Sequence, residues 1–165
     1  MFKYLNYAIL FGILAISSTA FADNQTKIAL AKKVVFSGNV SPYATSSLKQ
    51  LLQKAHQIND REASINQDIG CEFFEHYYLG WGQDFSVQDV RNLKAKVEKS
   101  GTVKVTFNTG FSAQLVEMDM VCTTNSCKVN DVRHGFSDNP KVLPKRISSS
   151  IRRDAQKMVN KNSCF

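Results

Sequence analysis

Glu72, His76 and Asp84 are the side chains whose types and spacing could do acid–base chemistry. Two carboxylates and an imidazole in one short stretch could relay protons if they lined a pocket. The same stretch carries Tyr77, Tyr78 and Trp81, with Gly80 and Gly82 on either side of the tryptophan. Charged side chains around a loop are ordinarily solvated. Gln83 and Asp84 also suit the capping of free backbone groups at a turn or a strand entry. The expectation is therefore no catalytic residue. Tyr77, Tyr78 and Trp81 have two readings: core, or a recognition surface of the kind that favours tyrosine and tryptophan. The flanking glycines point to an exposed loop. Tyr77, Tyr78, Trp81, Gln83 and Asp84 are accordingly the partner-binding candidates.

The other reactive groups are four cysteines, Cys71, Cys122, Cys127 and Cys164. An even count in an exported chain reads as disulfides, with three possible connectivities. Cys122 and Cys127 bracket a turn-rich loop between two strand-like runs, and facing strands bring such residues within bridging distance. That pairing leaves Cys71 with Cys164, tying the C-terminal tail to the body. Zinc is the competing use of these thiols. The spacing lacks two close ligand pairs, and His56, His76 and His134 are scattered, so no metal or other cofactor is expected. The chain contains no nucleophile elbow, phosphate loop or zinc-protease helix motif.

Export is read from the first residues. Lys3 is a positive start, Ala8 to Ile16 is uninterruptedly apolar, and Ala20-Phe21-Ala22 fits the small-x-small pattern of signal peptidase. The apolar run is shorter than the roughly 20 residues a bilayer demands. The expected organisation is a signal peptide over 1–22 and a single domain over 23–165, soluble in the periplasm with no membrane anchor. The net charge of +7 falls to +6 without Lys3. A basic balance of this size serves solubility, or contact with an acidic protein or lipid headgroups. Nucleic acid is a poor partner for an exported chain.

These groups must be positioned by recognisable elements. Ile28, Ala31, Val34 and Val35 predict a first helix over 26–36, ended by Ser37-Gly38-Asn39. Ser41-Pro42 reads as a helix start. Leu48, Leu51, Leu52, Ala55 and Ile58 form one apolar stripe, ending near Asn59-Asp60. Alternation then predicts strands around Leu93–Val97 and Val103–Phe107. A third strand follows over Phe111–Val121, with a bulge where the pattern slips near Leu115-Val116. Cys127–Val132 is a short fourth strand. A last helix starts with Pro144 in its first turn and carries Ile147, Ile151, Ala155, Met158 and Val159 inward. Lys145, Arg146, Arg152, Arg153, Lys157 and Lys161 then read as a solvated basic face. The expected class is α+β: N-terminal helices packed on a curved antiparallel sheet, with a C-terminal helix.

The helix residues Leu48 to Ala55, the segment closing on Trp81-Gly82-Gln83-Asp84, and the paired strands through Cys127-Lys128-Val129-Asn130-Asp131-Val132 carry a resemblance. Over about 31–132 the chain resembles the cone-shaped nuclear transport factor 2-like fold. More narrowly, it resembles the bacterial family labelled domain of unknown function 3828. Cys127 stands where that pattern usually has tryptophan. The resemblance implies an exported protein without established catalytic residues, on a fold that hosts both enzymes and binders. The functional expectation is a non-enzymatic exported binding protein whose partner is another protein. One concrete form is an immunity-type protein that neutralises a periplasmic toxin. The alternative is a small-ligand-binding or enzymatic domain of the same cone-shaped fold.

Overall fold

The computed structural model describes residues 23–66, 70–71, 87–124, 126–142, 144 and 150–164. The apolar spacing of Ala31, Val34 and Val35 places all three in the core, on a helix, α1, over 23–37. Gly38 closes it with φ 63°, a conformation glycine reaches without steric cost. Ser41-Pro42 does not begin the next helix. It forms a separate 3-10 turn, Ser41–Tyr43. The chain then extends so that Ala44 bridges Val129 and the Thr45 N–H donates to the Val129 carbonyl at 2.8 Å. That extension interrupts the helix. The Thr45 hydroxyl restarts it by accepting from the Leu48 N–H at 3.3 Å, as an N-cap does. Helix α2 then spans Ser46–Asn66, beyond the end expected at Asn59-Asp60.

Asn59 does not stop α2 because its side chain serves another segment. Its Oδ1 accepts the Cys71 N–H at 2.7 Å. Gly70, with φ +90°, makes this approach possible, since a Cβ there would fall 2.4 Å from the same oxygen. Cys71 is thereby held for its disulfide with Cys164.

Four antiparallel strands follow in the order β1-β2-β3-β4: Arg91–Val97, Val103–Asn108, Ala113–Cys122 and Cys127–Ser137. Helix α3, Ile151–Lys161, closes the described chain. Among the described residues there are thus three helices and one sheet, an α+β architecture with helices from both ends of the chain. One sheet face carries Val103, Val105, Phe107, Val116, Met118, Val129 and Val132 into a core shared with all three helices.

Three strand and helix expectations need correction. No bulge lies at Leu115-Val116, where pairing runs unbroken to both neighbours. The apolar run instead reflects burial of both faces: Ala113 and Leu115 are buried opposite the core while Val116 and Met118 face it. The irregularity lies further along, where Asp119 pairs with Asp131 and Met120 with Val129, leaving Asn130 as the extra residue. Strand β4 also continues well past Val132, because His134 and Gly135 are buried in the sheet. Helix α3 starts at Ile151 behind Ser150, whose hydroxyl accepts the Arg153 N–H at 3.1 Å. Pro144 is not helical, and Ile147, Lys145 and Arg146 lie outside the described residues.

The Asn130 bulge organises the junction of β4 with α2 and α3. Arg152 donates to the Asn130 side chain at 2.8 Å, to its carbonyl at 3.0 Å and to Ser47 at 3.2 Å. Arg152 therefore joins α3 to the start of α2 and is no part of a solvated basic face. Next to it, Asp131 accepts from the Ser150 hydroxyl at 2.5 Å and the Arg152 N–H at 3.1 Å. A carboxylate is favoured there because a helix N-terminus presents free N–H groups and positive potential.

Arg133 gathers the acids of the outer sheet face. It reaches Asp119 at 2.7 and 2.8 Å, Glu117 at 3.4 Å and Asp131 at 3.8 Å. The hydrogen bond to Asp119 leads in raising the guanidinium pKa above its ordinary value, against the opposing effect of burial. With its side chain only 18% exposed, Arg133 is poorly replaced by water. Arg133→Met should cost about 2–3 kcal/mol in urea unfolding, because neighbouring carboxylates lose their cation. A loss below about 0.5 kcal/mol would make the cluster an ordinary surface ion pair.

Candidate functional site

Tyr77, Tyr78, Trp81, Gln83 and Asp84 lie outside the described residues, as do Glu72, His76 and the leader over 1–22. Both expected disulfides are present: Cys71–Cys164 with Cα atoms 5.4 Å apart, and Cys122–Cys127 at 4.0 Å. Thr123 donates its N–H to the Ser126 carbonyl at 2.8 Å, so Cys122 and Cys127 form the adjacent, close-approach pair of the antiparallel ladder. Asp23 is grouped with these two cysteines, its carboxylate 3.8 Å from Cys127 Sγ. The paired sulfurs are not thiolates, so this group is no metal centre in the oxidised protein.

The described residues do build a distinctive surface at one end of the sheet. The β2–β3 turn is closed by the Thr109 N–H donating to the Ser112 carbonyl at 2.8 Å. The Thr109 hydroxyl accepts the Ser112 N–H at 3.0 Å, and the two hydroxyls lie 2.8 Å apart. From there a chain of polar contacts enters the sheet. Gln114 Nε2 donates to the Ser112 hydroxyl at 2.7 Å, and Gln114 Oε1 lies 2.8 Å from His134 Nε2. Thr109, Gln114 and His134 are all buried. The contacts satisfy groups whose burial would otherwise be costly, and they fix the turn rigidly to β4.

On this rigid turn Phe111 stands 87% exposed. Phe136, 41% exposed, belongs to the same end of the sheet and is the register partner of Gln114. Val142 is exposed in the segment that follows β4. That segment and the strands line a cleft of about 280 Å³, with Pro140, Lys141, Val142 and Pro144 on one side. Asn92, Lys94, Thr106, Asn108 and Gln114 line the rest with Phe107 and Ala113. Asn92 has φ 55° at a bulge in β1 between Arg91 and Lys94. Asparagine tolerates this left-handed conformation better than most residues.

Chemically, this end of the sheet offers large apolar contacts on a fixed frame, beside amides, a hydroxyl and two ammonium groups. Sequence reasoning missed it. Phe111 counted as the first residue of a strand, and its place directly after Thr109-Gly110 was the available sign that it could sit in a turn. The cleft joins residues far apart in the chain, which no local pattern reveals. No family model, curated protein or solved structure matches the chain.

Proposed function

We propose that this chain is an exported, non-enzymatic protein that acts by occupying another protein's surface, with the end of the sheet around Phe111 as the docking site. The observation that carries the reading is the exposure of Phe111, 87%, on a turn held by partly buried hydrogen bonds. A phenylalanine presented this way contributes little to the core, yet it offers a rigid apolar anchor of the sort that dominates binding energy. The two disulfides fit an oxidising compartment, which supports the periplasm as its place of work. The cone-shaped nuclear transport factor 2-like fold remains the family reading of its α+β architecture. An immunity-type protein against a periplasmic toxin is the concrete form.

Capture from periplasmic extract with the wild-type chain and with Phe111→Ala tests the reading. One partner should bind the wild type, and the variant should bind it more weakly by at least about 2 kcal/mol. Cells lacking the chain should be sensitive to toxin-producing siblings. Capture unaffected by Phe111→Ala would remove the docking site from the account, and unchanged survival would remove the immunity role. The small-ligand alternative draws on the cleft, and a ligand carried through purification in native mass spectra would favour it.

A further inference from the structure

The outer face of the sheet is electrostatically divided. At the β3–β4 side, Glu117, Asp119 and Asp131 gather around Arg133. At the β1–β2 side the charges are cationic: Lys94 faces Thr106 across the ladder, and Lys96 faces Lys104. Lys96 is paired with Glu98 at 3.0 Å. Among the described residues, no salt bridge engages Lys94, Lys104 or Lys141. Lys94 and Lys141 both line the cleft, and among the described residues its lining contains no aspartate or glutamate. Glu117, Asp119 and Asp131 are thus held at Arg133, while among the described residues no salt bridge offsets the positive charge at the cleft.

The rest of the lining matches that charge. Asn92 and Asn108 bring amides, and Thr106 brings a hydroxyl. Amide N–H and hydroxyl groups donate to an anion's oxygens without bringing negative charge of their own. Pro140, Val142 and Pro144 add an apolar wall. The β1 bulge that holds Asn92 in its left-handed conformation sets where Lys94 rejoins the ladder opposite Thr106. Such bulges often re-aim a side chain beside a functional site.

We propose that this cleft receives carboxylate side chains from an acidic segment of a partner protein. Lys94 and Lys141 supply the charge, and Asn92, Thr106 and Asn108 supply hydrogen bonds. The proposal deepens the binding-protein reading and rests on it. Exposed Phe111 and Phe136 at the same end of the sheet would anchor the apolar part of the partner, and the cleft would select for its acidic part. Charge complementarity of this kind chiefly sets specificity and association rate. The net charge of +6 that is left without Lys3 favours an acidic partner as well.

The test is a nuclear magnetic resonance titration of the full exported chain with triglutamate peptide, with triglutamine and inorganic phosphate as parallel arms. Triglutamate should shift the amides of Asn92, Lys94, Thr106, Asn108 and Lys141, and triglutamine should not. Lys94→Gln combined with Lys141→Gln should weaken triglutamate binding about tenfold. Lys157→Gln combined with Lys161→Gln removes as much charge from α3 and should leave binding within about twofold, since that helix is not part of the cleft lining. Equal weakening by both pairs would overturn the proposal, because the general positive field would then explain binding. Phosphate binding at the same residues without triglutamate binding would overturn it in favour of a small-anion site. Absent shifts at the cleft would overturn it outright. Triglutamate binding at the cleft, with capture independent of Phe111, would uphold the cleft and remove only the Phe111 docking site. Capture dependent on Phe111, with a silent cleft, would do the reverse.

Discussion

Phe107→Ala is expected to cost about 3–5 kcal/mol of stability in urea unfolding, the range for removing a buried phenylalanine and leaving a cavity. Phe111→Ala, in the same hairpin, is expected to change stability by less than about 0.5 kcal/mol, as surface substitutions do. The contrast follows from placement. Phe107 is 2% exposed on the core face of β2, while Phe111 projects from the turn. The side-chain contacts that hold the turn are made by Thr109, Ser112, Gln114 and His134, and none depends on the Phe111 ring. A large loss of stability from Phe111→Ala would show that the ring packs against the molecule, and it would withdraw the residue as a docking anchor.

Removing Cys71–Cys164 with paired alanine substitutions is expected to cost about 4–5 kcal/mol in the chain-entropy model, given its sequence separation of 93. Removing Cys122–Cys127, separated by 5, should cost about 2 kcal/mol. The longer link matters more because it restricts far more of the unfolded chain. It also joins two places already anchored to α2: Asn59 receives Cys71, and Arg61 donates to the Asn162 side chain at 2.9 Å at the end of α3. Comparing unfolding midpoints of the two double variants with the wild type checks the order. Equal losses would mean that the unfolded chain is already restricted around 71–164 by residual structure.

Much of the architecture was legible in the sequence because it rests on local periodicity. The stripe from Leu48 to Ile58, the alternation through Val103, Val105 and Phe107, and the inward positions Ile151, Ala155 and Met158 all lie where the spacing puts them. The disulfides were legible for a related reason, since a short turn-rich loop makes Cys122 and Cys127 natural partners and leaves one remaining pair. Boundaries depended on long-range contacts and were less legible. Ser41-Pro42 has the residues of a helix start, but pairing of Thr45 with Val129 moves that start to Ser46. The apolar run at Leu115-Val116 resembled a phase slip because a strand buried on both faces loses its alternation. The outer face was illegible throughout. Register brings Glu117 and Asp119 beside Arg133, and the segment after β4 brings Lys141 to the same cleft as Lys94. Neither is encoded in any short window. The candidates named from the aromatic segment, Tyr77, Tyr78, Trp81, Gln83 and Asp84, lie outside the described residues and stay as proposals beside Phe111.

Site-directed photocrosslinking in living cells tests the docking surface most directly. Benzoylphenylalanine placed at Phe111 or Phe136 should crosslink to one and the same partner protein in the periplasm. The same probe at Ile65 on α2 or Val121 on β3, both also exposed, should give no such product. Crosslinks at Ile65 or Val121 but not at Phe111 would place the interface elsewhere and contradict the account. Absence of any crosslinked protein from Phe111 and Phe136, under conditions where the chain accumulates folded, would contradict the claim that this end of the sheet binds a partner.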